Sequence, residues 1–169
     1  MKNLDGSVFM KRLARPLWPK NPLWTMARDT EKKEFLIPTD LAQVQKTSAK
    51  VLAFLKPLSL EEACLFDIRL SLEEALINAM KYGNKLQKNL KVLLKVEAGP
   101  DCVRLTVEDK GEGFDVRKIK DCTHGENLLK NRGRGVYLIQ QLMDQVRYNS
   151  KGNCVVMVKR VDFNGHCHS

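Results

Sequence analysis

Residues 60 to about 82 constrain the fold more than any other stretch, because one helical period there carries two stripes. Ser59-Leu60-Glu61-Glu62 has the form of a capping box, which satisfies N–H groups at a helix start. Gly83-Asn84 supplies the stop. Leu65, Ile68, Leu72, Ala75, Leu76, Ala79 and Met80 recur at three and four, which makes one buried face. Asp67, Ser71, Glu74, Asn78 and Lys81 recur at four, three, four and three beside it. Glu74 and Asn78 are four apart, so their side chains meet. The pair borders Ala75 and Ala79, which sets a carboxylate and an amide at the edge of a core.

The neighbouring segments supply something for that helix to lie on. Glu34 to Pro38 reads as a short strand. Thr39 or Asp40 can cap a helix running to about Leu55, with Leu41, Val44, Val51, Leu52 and Leu55 inward and Pro57 ending it. Leu90 to Ala98 and Cys102 to Glu108 are strands joined by the turn Gly99-Pro100-Asp101, a hairpin. Residues 110 to 133, rich in Gly, Lys, Asp and Asn, read mainly as a loop. Gly135 to about Val146 has helical period with Leu138, Ile139, Leu142 and Met143 inward, and Cys154 to Val161 is a last strand. Helices mixed with antiparallel strands in this order suggest a two-layer α/β sandwich. Residues 1 to 30 differ: Pro16, Pro19 and Pro22 disfavour helix and strand, and Trp18 and Trp24 stand among basic residues. We read an extended N-terminal arm, a domain over 31 to 163 and a tail over 164 to 169. The tryptophans either pack on the domain or offer a docking segment.

Composition narrows the function classes. The 169 residues suit one domain able to bury its own core. The net charge of +9 admits an anionic partner. Its basic residues are scattered, however, and no recognition helix, aromatic nucleic-acid platform or zinc-finger spacing accompanies them, so direct nucleic-acid binding is not expected. Five cysteines, an odd number without a CxxC, indicate neither a disulfide framework nor a zinc site; Cys64 and Cys154, within apolar runs, read as buried thiols. Arg12, Arg15 and Lys20 interrupt any signal-peptide core, and no stretch reaches membrane-spanning length. The cytoplasm is the expected compartment.

Three elements could carry chemistry. At the Glu74 and Asn78 pair, Asn offers a neutral oxygen to Mg²⁺, a hard cation that takes few protein ligands beside phosphates and water. Glu could accept a proton from an attacking hydroxyl. For this stripe taken alone, a solvated helix face is the plainer reading. Next, Asp109-Lys110-Gly111-Glu112-Gly113 ends a strand in D-x-G-x-G. The glycines permit close backbone approach. A carboxylate there accepts a hydrogen bond from the adenine amino group and opposes the guanine carbonyl. A tight turn explains this motif alone about as well. Third, Asn131-Arg132-Gly133-Arg134-Gly135 runs into a helix, where backbone N–H groups and two arginines could face phosphate; a flexible loop is the plainer alternative. Order, spacing and context of the three together fit one site.

These residues resemble the N, G1 and G2 boxes of the GHKL ATPases, and most of all the bacterial anti-sigma factor serine/threonine kinases. Glu74-Ala75-Leu76-Ile77-Asn78-Ala79-Met80-Lys81-Tyr82-Gly83 is similar to that family's E-A-x-x-N-A-x-x-H-G, with Tyr82 at the frequent His. The resemblance covers about residues 32 to 161. It implies the Bergerat fold, a two-layer α/β sandwich with a mixed, mostly antiparallel sheet. It also implies ATP and Mg²⁺ as cofactors. Glu74 would be the general base and Asn78 the Mg²⁺ ligand. Asp109 would bind adenine, with Gly111 and Gly113 shaping the pocket, and Lys81 would join the nucleotide-binding set. Residues 114 to 133 would form an ATP lid, with Gly133 and Gly135 at the phosphates. Two positions depart from the pattern. Gly152-Asn153 stands where Gly-Thr is usual, and Asn153 can still donate and accept. Asn131 stands where an arginine often meets the γ-phosphate, and Arg132 or Arg134 could take that part.

The resemblance implies an anti-sigma factor that holds a sigma factor and phosphorylates a STAS-domain anti-anti-sigma protein on Ser or Thr, and it suggests a homodimer. A nucleotide-gated binding module without kinase activity is the alternative. Self-contained histidine-kinase action is not expected, since the histidines are His124, in the loop, and His166 and His168, in the tail.

Overall fold

The computed structural model describes residues 30–113 and 131–161, the side chains of residues 131–133 excepted. The proline-rich arm, most of the expected lid, and the tail lie outside the described residues.

Among the described residues, five strands and three α-helices make two layers. Strand β1 (Glu31–Pro38) leads into helix α1 (Ala42–Leu55), a 3₁₀ turn (Lys56–Leu58) and helix α2 (Glu62–Asn78), which runs on as a π turn (Ala79–Gly83). The hairpin β2 (Lys91–Ala98) and β3 (Cys102–Glu108) follows. Helix α3 (Asn131–Leu142), β4 (Gln145–Tyr148) and β5 (Cys154–Arg160) complete the fold. The sheet order is β1-β2-β3-β5-β4. Every described ladder is antiparallel, so the mixed component expected of the sheet is absent among the described residues.

Alternation along the strands sends one face of the sheet to the helices. Val92, Leu94 and Val96 of β2, Val103, Leu105 and Val107 of β3, and Val155 and Met157 of β5 are buried there. They meet Ile68, Leu72, Leu76 and Met80 of α2, and Val51 and Leu55 of α1. Ile139 and Met143 bring the end of α3 into the same cluster.

Local chemistry departs from expectation at several element ends. Ser59 does not cap α2: it is left-handed at φ 49° and closes the preceding 3₁₀ turn, so α2 starts from Glu61 without a side-chain cap. Asp40, not Thr39, serves α1, its Oδ1 accepting the N–H of Ala42 at 3.0 Å. Leu41 is exposed. Within the described residues helix α3 spans Asn131–Leu142, so it already includes residues ahead of Gly135, and it stops at Leu142. Val146 belongs to strand β4, not to a helix, because residues 145 to 148 pair with β5. Cys64 is fully buried but disulfide-bonded, not a thiol; Cys102 and Cys154 are free, and Cys154 is only half-buried. No described helix is long and apolar enough to cross a membrane.

Candidate functional site

Two of the three elements meet at the end of α2, where the helix widens into its π turn. Such turns recur at functional positions because they re-aim the chain. Here the turn delivers Gly83 against the carboxyl group of Asp109, which ends β3. A Cβ on Gly83 would fall within that carboxyl group, and a Cβ on Gly111 would strike the Gly83 carbonyl. Glycine at both positions is a packing requirement. Asp109 is 7% exposed. Its Oδ1 accepts the N–H of Gly111 at 2.8 Å, and its Oδ2 accepts no hydrogen bond among the described residues. Burial raises the Asp109 pKa, against the opposing pull of the Gly111 N–H and the Lys151 charge.

Asn84 locks this corner. It is 1% exposed; its amide donates to Thr39 Oγ1 at 2.9 Å and its Oδ1 accepts the N–H of Lys110 at 2.8 Å. Thr39 in turn donates to the Leu90 carbonyl at 2.8 Å. One amide thereby holds the end of α2, the start of the Asp109 loop and the β1 exit together.

Asn153 reaches the same loop from β5. Its Nδ2 donates to the backbone carbonyl of Asp109 at 2.8 Å, and its own carbonyl accepts the Asp109 N–H at 2.9 Å. Its Oδ1 accepts from Asn149 Nδ2 at 2.9 Å. Asn149 Oδ1 gathers the N–H groups of Gly152, Asn153 and Cys154 at 2.7, 3.1 and 3.3 Å. Gly113, at φ +76°, has no room for a Cβ against the Lys151 carbonyl. Asn153 therefore positions Asp109 through the backbone, and Asn149 positions Asn153.

The third element closes on the last turns of α2. Gly135 is buried in the second turn of α3, and a Cβ there would stand 2.7 Å from Glu74 Oε2 and 2.9 Å from Asn78 Nδ2. Only glycine lets α3 approach the two side chains this closely. The first four N–H groups of a helix have no partner within it, and the positive end of the dipole lies with them. Arg132, Gly133 and Arg134 belong to the N-terminal part of the described helix, Asn131–Leu142. Arg134 is exposed.

Glu74, Asn78 and Gly135 are brought together, and so are Asp109, Gly111, Gly113 and Asn153. From Asn78 to Gly83 the chain advances about 7 Å along the helix, so the two groups lie at two stations of one surface. Lys81 is exposed, its Nζ 5.7 Å from the centre of the Tyr82 ring. The side chains of Arg132 and of Asn131 lie outside the described residues. Ser71 and Asp67 do not continue a solvated stripe: Ser71 is fully buried and Asp67 is paired with Lys159 at 2.7 Å.

Among the described residues no three His, Cys, Asp or Glu side chains cluster as a ready metal cage. Mg²⁺ keeps waters and phosphate oxygens and needs one or two protein ligands. The Asn78 amide, at the Gly135 cradle beside the Glu74 carboxylate, offers an oxygen of that kind. The open Oδ2 of Asp109 likewise fits an amino donor.

Asn84 and Asn149 were not legible as site residues. Asn84 reads as part of a helix stop. Asn149-Ser150-Lys151-Gly152 does carry a signal, since Asn first and Gly fourth is a turn preference; it marks the β4–β5 hairpin.

Residues 37–159 match the family model described as the histidine kinase-like ATPase domain. The chain is 31% identical over 103 residues to the serine-protein kinase RsbW of Staphylococcus aureus strain MRSA252, covering 56% of this chain and 65% of that protein. It is 28% identical over 100 residues to the serine-protein kinase RsbW of Oceanobacillus iheyensis, covering 56% and 63%. The matched region therefore spans somewhat under two thirds of these relatives.

Proposed function

The chain belongs to the histidine kinase-like ATPase domain family, and on that premise we propose that it binds ATP in this site and transfers the γ-phosphoryl group to a serine or threonine of a partner protein. The observation that carries the reading is the Gly135 contact, which sets the backbone of α3 directly against Glu74 and Asn78.

Each residue then has a part. Asp109 Oδ2 accepts the adenine amino group, with Gly111 and Gly113 shaping the pocket and Asn153 steadying the loop. Asn78 contributes an oxygen to Mg²⁺, which supplies charge neutralisation at the phosphates when bound. We assign the backbone at Gly133 and Gly135 and the charges of Arg132 and Arg134 to the same phosphates from the family resemblance, and Lys81 adds a further cation. Glu74 takes the proton of the acceptor hydroxyl as its oxygen attacks the γ-phosphorus, and ADP leaves. Little covalent work falls to the protein in such a transfer; positioning and charge do most of it.

The names of the relatives include serine-protein kinase. We extend that to this chain, and from the anti-sigma resemblance we assign its partners: a sigma factor held inactive and a STAS-domain antagonist that receives the phosphate. Phosphate on the antagonist would break its interface through charge and desolvation. We place this exchange in the cytoplasm, with a homodimer as the working assembly. The test is to mix the protein with Mg-ATP and STAS-domain proteins of its own genome, beside Glu74→Ala. Transfer to one Ser or Thr, lost in the variant, supports the kinase. ATP binding without transfer to any candidate would instead favour a nucleotide-gated binding module.

A further inference from the structure

The site has a second anchor far from the nucleotide surface. Lys159 lies on the helix-facing side of β5 at 6% exposure, where Val155 and Met157 are its same-face neighbours. Its Nζ donates to Asp67 Oδ2 at 2.7 Å and to the carbonyl of Leu142, the last residue of α3, at 2.9 Å. The backbone N–H of Arg160 donates to Asp144 Oδ2 at 2.7 Å, just past the same helix end. Asp67, Ser71, Glu74 and Asn78 fall on one face of α2. Helix α3 therefore lies antiparallel along that face, with its C-terminus at Asp67 and its Gly135 turn at Glu74 and Asn78.

A lysine buried on the core face of a strand is unusual. A cation at a helix C-terminus answers the unsatisfied carbonyls and the negative end of the dipole. Such buried pairs add little net stability compared with apolar replacements. What this pair does provide is a fixed point. It ties one end of α3 to both α2 and the sheet, so the other end cannot slide along the seam.

We propose that Lys159 and Asp67 are positioning residues for phosphoryl transfer: they latch the C-terminus of α3 and so hold its Gly135 turn in register over Glu74 and Asn78. This rests on the kinase reading for its catalytic consequence, but the geometric claim stands apart from it.

The two are separated by testing Asp67→Asn/Lys159→Met, in which both charges are gone and the fold is expected to hold with Tm unchanged or raised. Lys159→Arg, which keeps both donors, is the conservative comparison. The double variant should lose at least about tenfold in kcat, since small misplacement at reacting groups costs on the order of a hundredfold. Its ADP affinity should be unchanged, because the adenine end at Asp109 is untouched. Backbone amides 135 to 139 should exchange faster in the double variant, and Lys159→Arg should retain wild-type rate and exchange together. Wild-type kcat, wild-type exchange, or a parallel fall in ADP affinity in the double variant would each overturn the proposal. If the wild-type protein itself transfers no phosphate, the kinase reading fails and the exchange comparison alone decides the latch.

Discussion

Gly83 and Asp109 are in direct contact, and the contact leaves no space for a side chain on Gly83. The residue that ends the π turn thereby packs directly on the buried carboxylate. Gly83→Ala should push the Asp109 carboxyl group aside and weaken ATP binding at least about tenfold, or ~1.4 kcal/mol. Titration calorimetry checks this, and an unchanged affinity would show that the contact does not shape the pocket.

Gly135→Ala acts at the other station. The added methyl would meet Glu74 Oε2 and Asn78 Nδ2, so α3 must retreat from both. Single-turnover phosphoryl transfer should drop by about tenfold to a hundredfold, with ADP affinity little changed. Equal losses in both measurements would mean that Gly135 matters for folding rather than for register.

Asp109→Asn separates binding from stability. Burial raises the Asp109 pKa, so the folded protein takes up that proton more readily than the unfolded chain. The charge therefore costs stability at neutral pH, and the cost disappears as pH falls below the unfolded value of about 3.9. The variant keeps the acceptor for the Gly111 N–H. It should melt higher than wild type at pH 7, by a margin that narrows toward pH 4, while ATP binding weakens. A lower melting temperature at pH 7 would contradict this.

Ser71 tests the seam between α2 and α3. Its hydroxyl is fully buried and finds no hydrogen-bond partner, a state that costs about 1–3 kcal/mol. Ser71→Ala should stabilise by about 1 kcal/mol, read as a higher urea midpoint at unchanged slope. Destabilisation would mean that the hydroxyl has a partner in solution.

Asn149→Ala removes the acceptor for three backbone N–H groups. The expected loss is about 1–2 kcal/mol, together with weaker ATP binding because Asn153 loses its support. Retained affinity would detach the hairpin turn from the site.

The parts of this structure that were legible in the sequence are those written in periodicity. The α2 stripe from Ile68 to Met80, the hairpin about Gly99-Pro100-Asp101, and the juxtaposition of Glu74 with Asn78 follow from side-chain spacing alone. The failures lie where tertiary contacts decide. Ser59 has the residue type of a cap, yet the 3₁₀ turn at Lys56–Leu58 claims it. Val146 continues a helical pattern, but pairing with β5 makes its segment a strand. Asn84 and Asn149 act through hydrogen bonds to residues 45 or fewer positions away, and nothing in their local pattern distinguishes them from ordinary turn residues. Asp67 and Ser71 look like solvated positions because a helical period cannot reveal that a second helix covers them.

The central claim is that these elements form one adenine-nucleotide site. Titration calorimetry of Mg-ATP and Mg-GTP into the wild-type protein and Asp109→Asn tests it most directly. The wild-type protein is expected to bind ATP and to prefer it strongly to GTP, since the Asp109 acceptor opposes the guanine carbonyl, and the preference should collapse in the variant. Equal binding of the two nucleotides by the wild-type protein, or no binding of ATP, would contradict it.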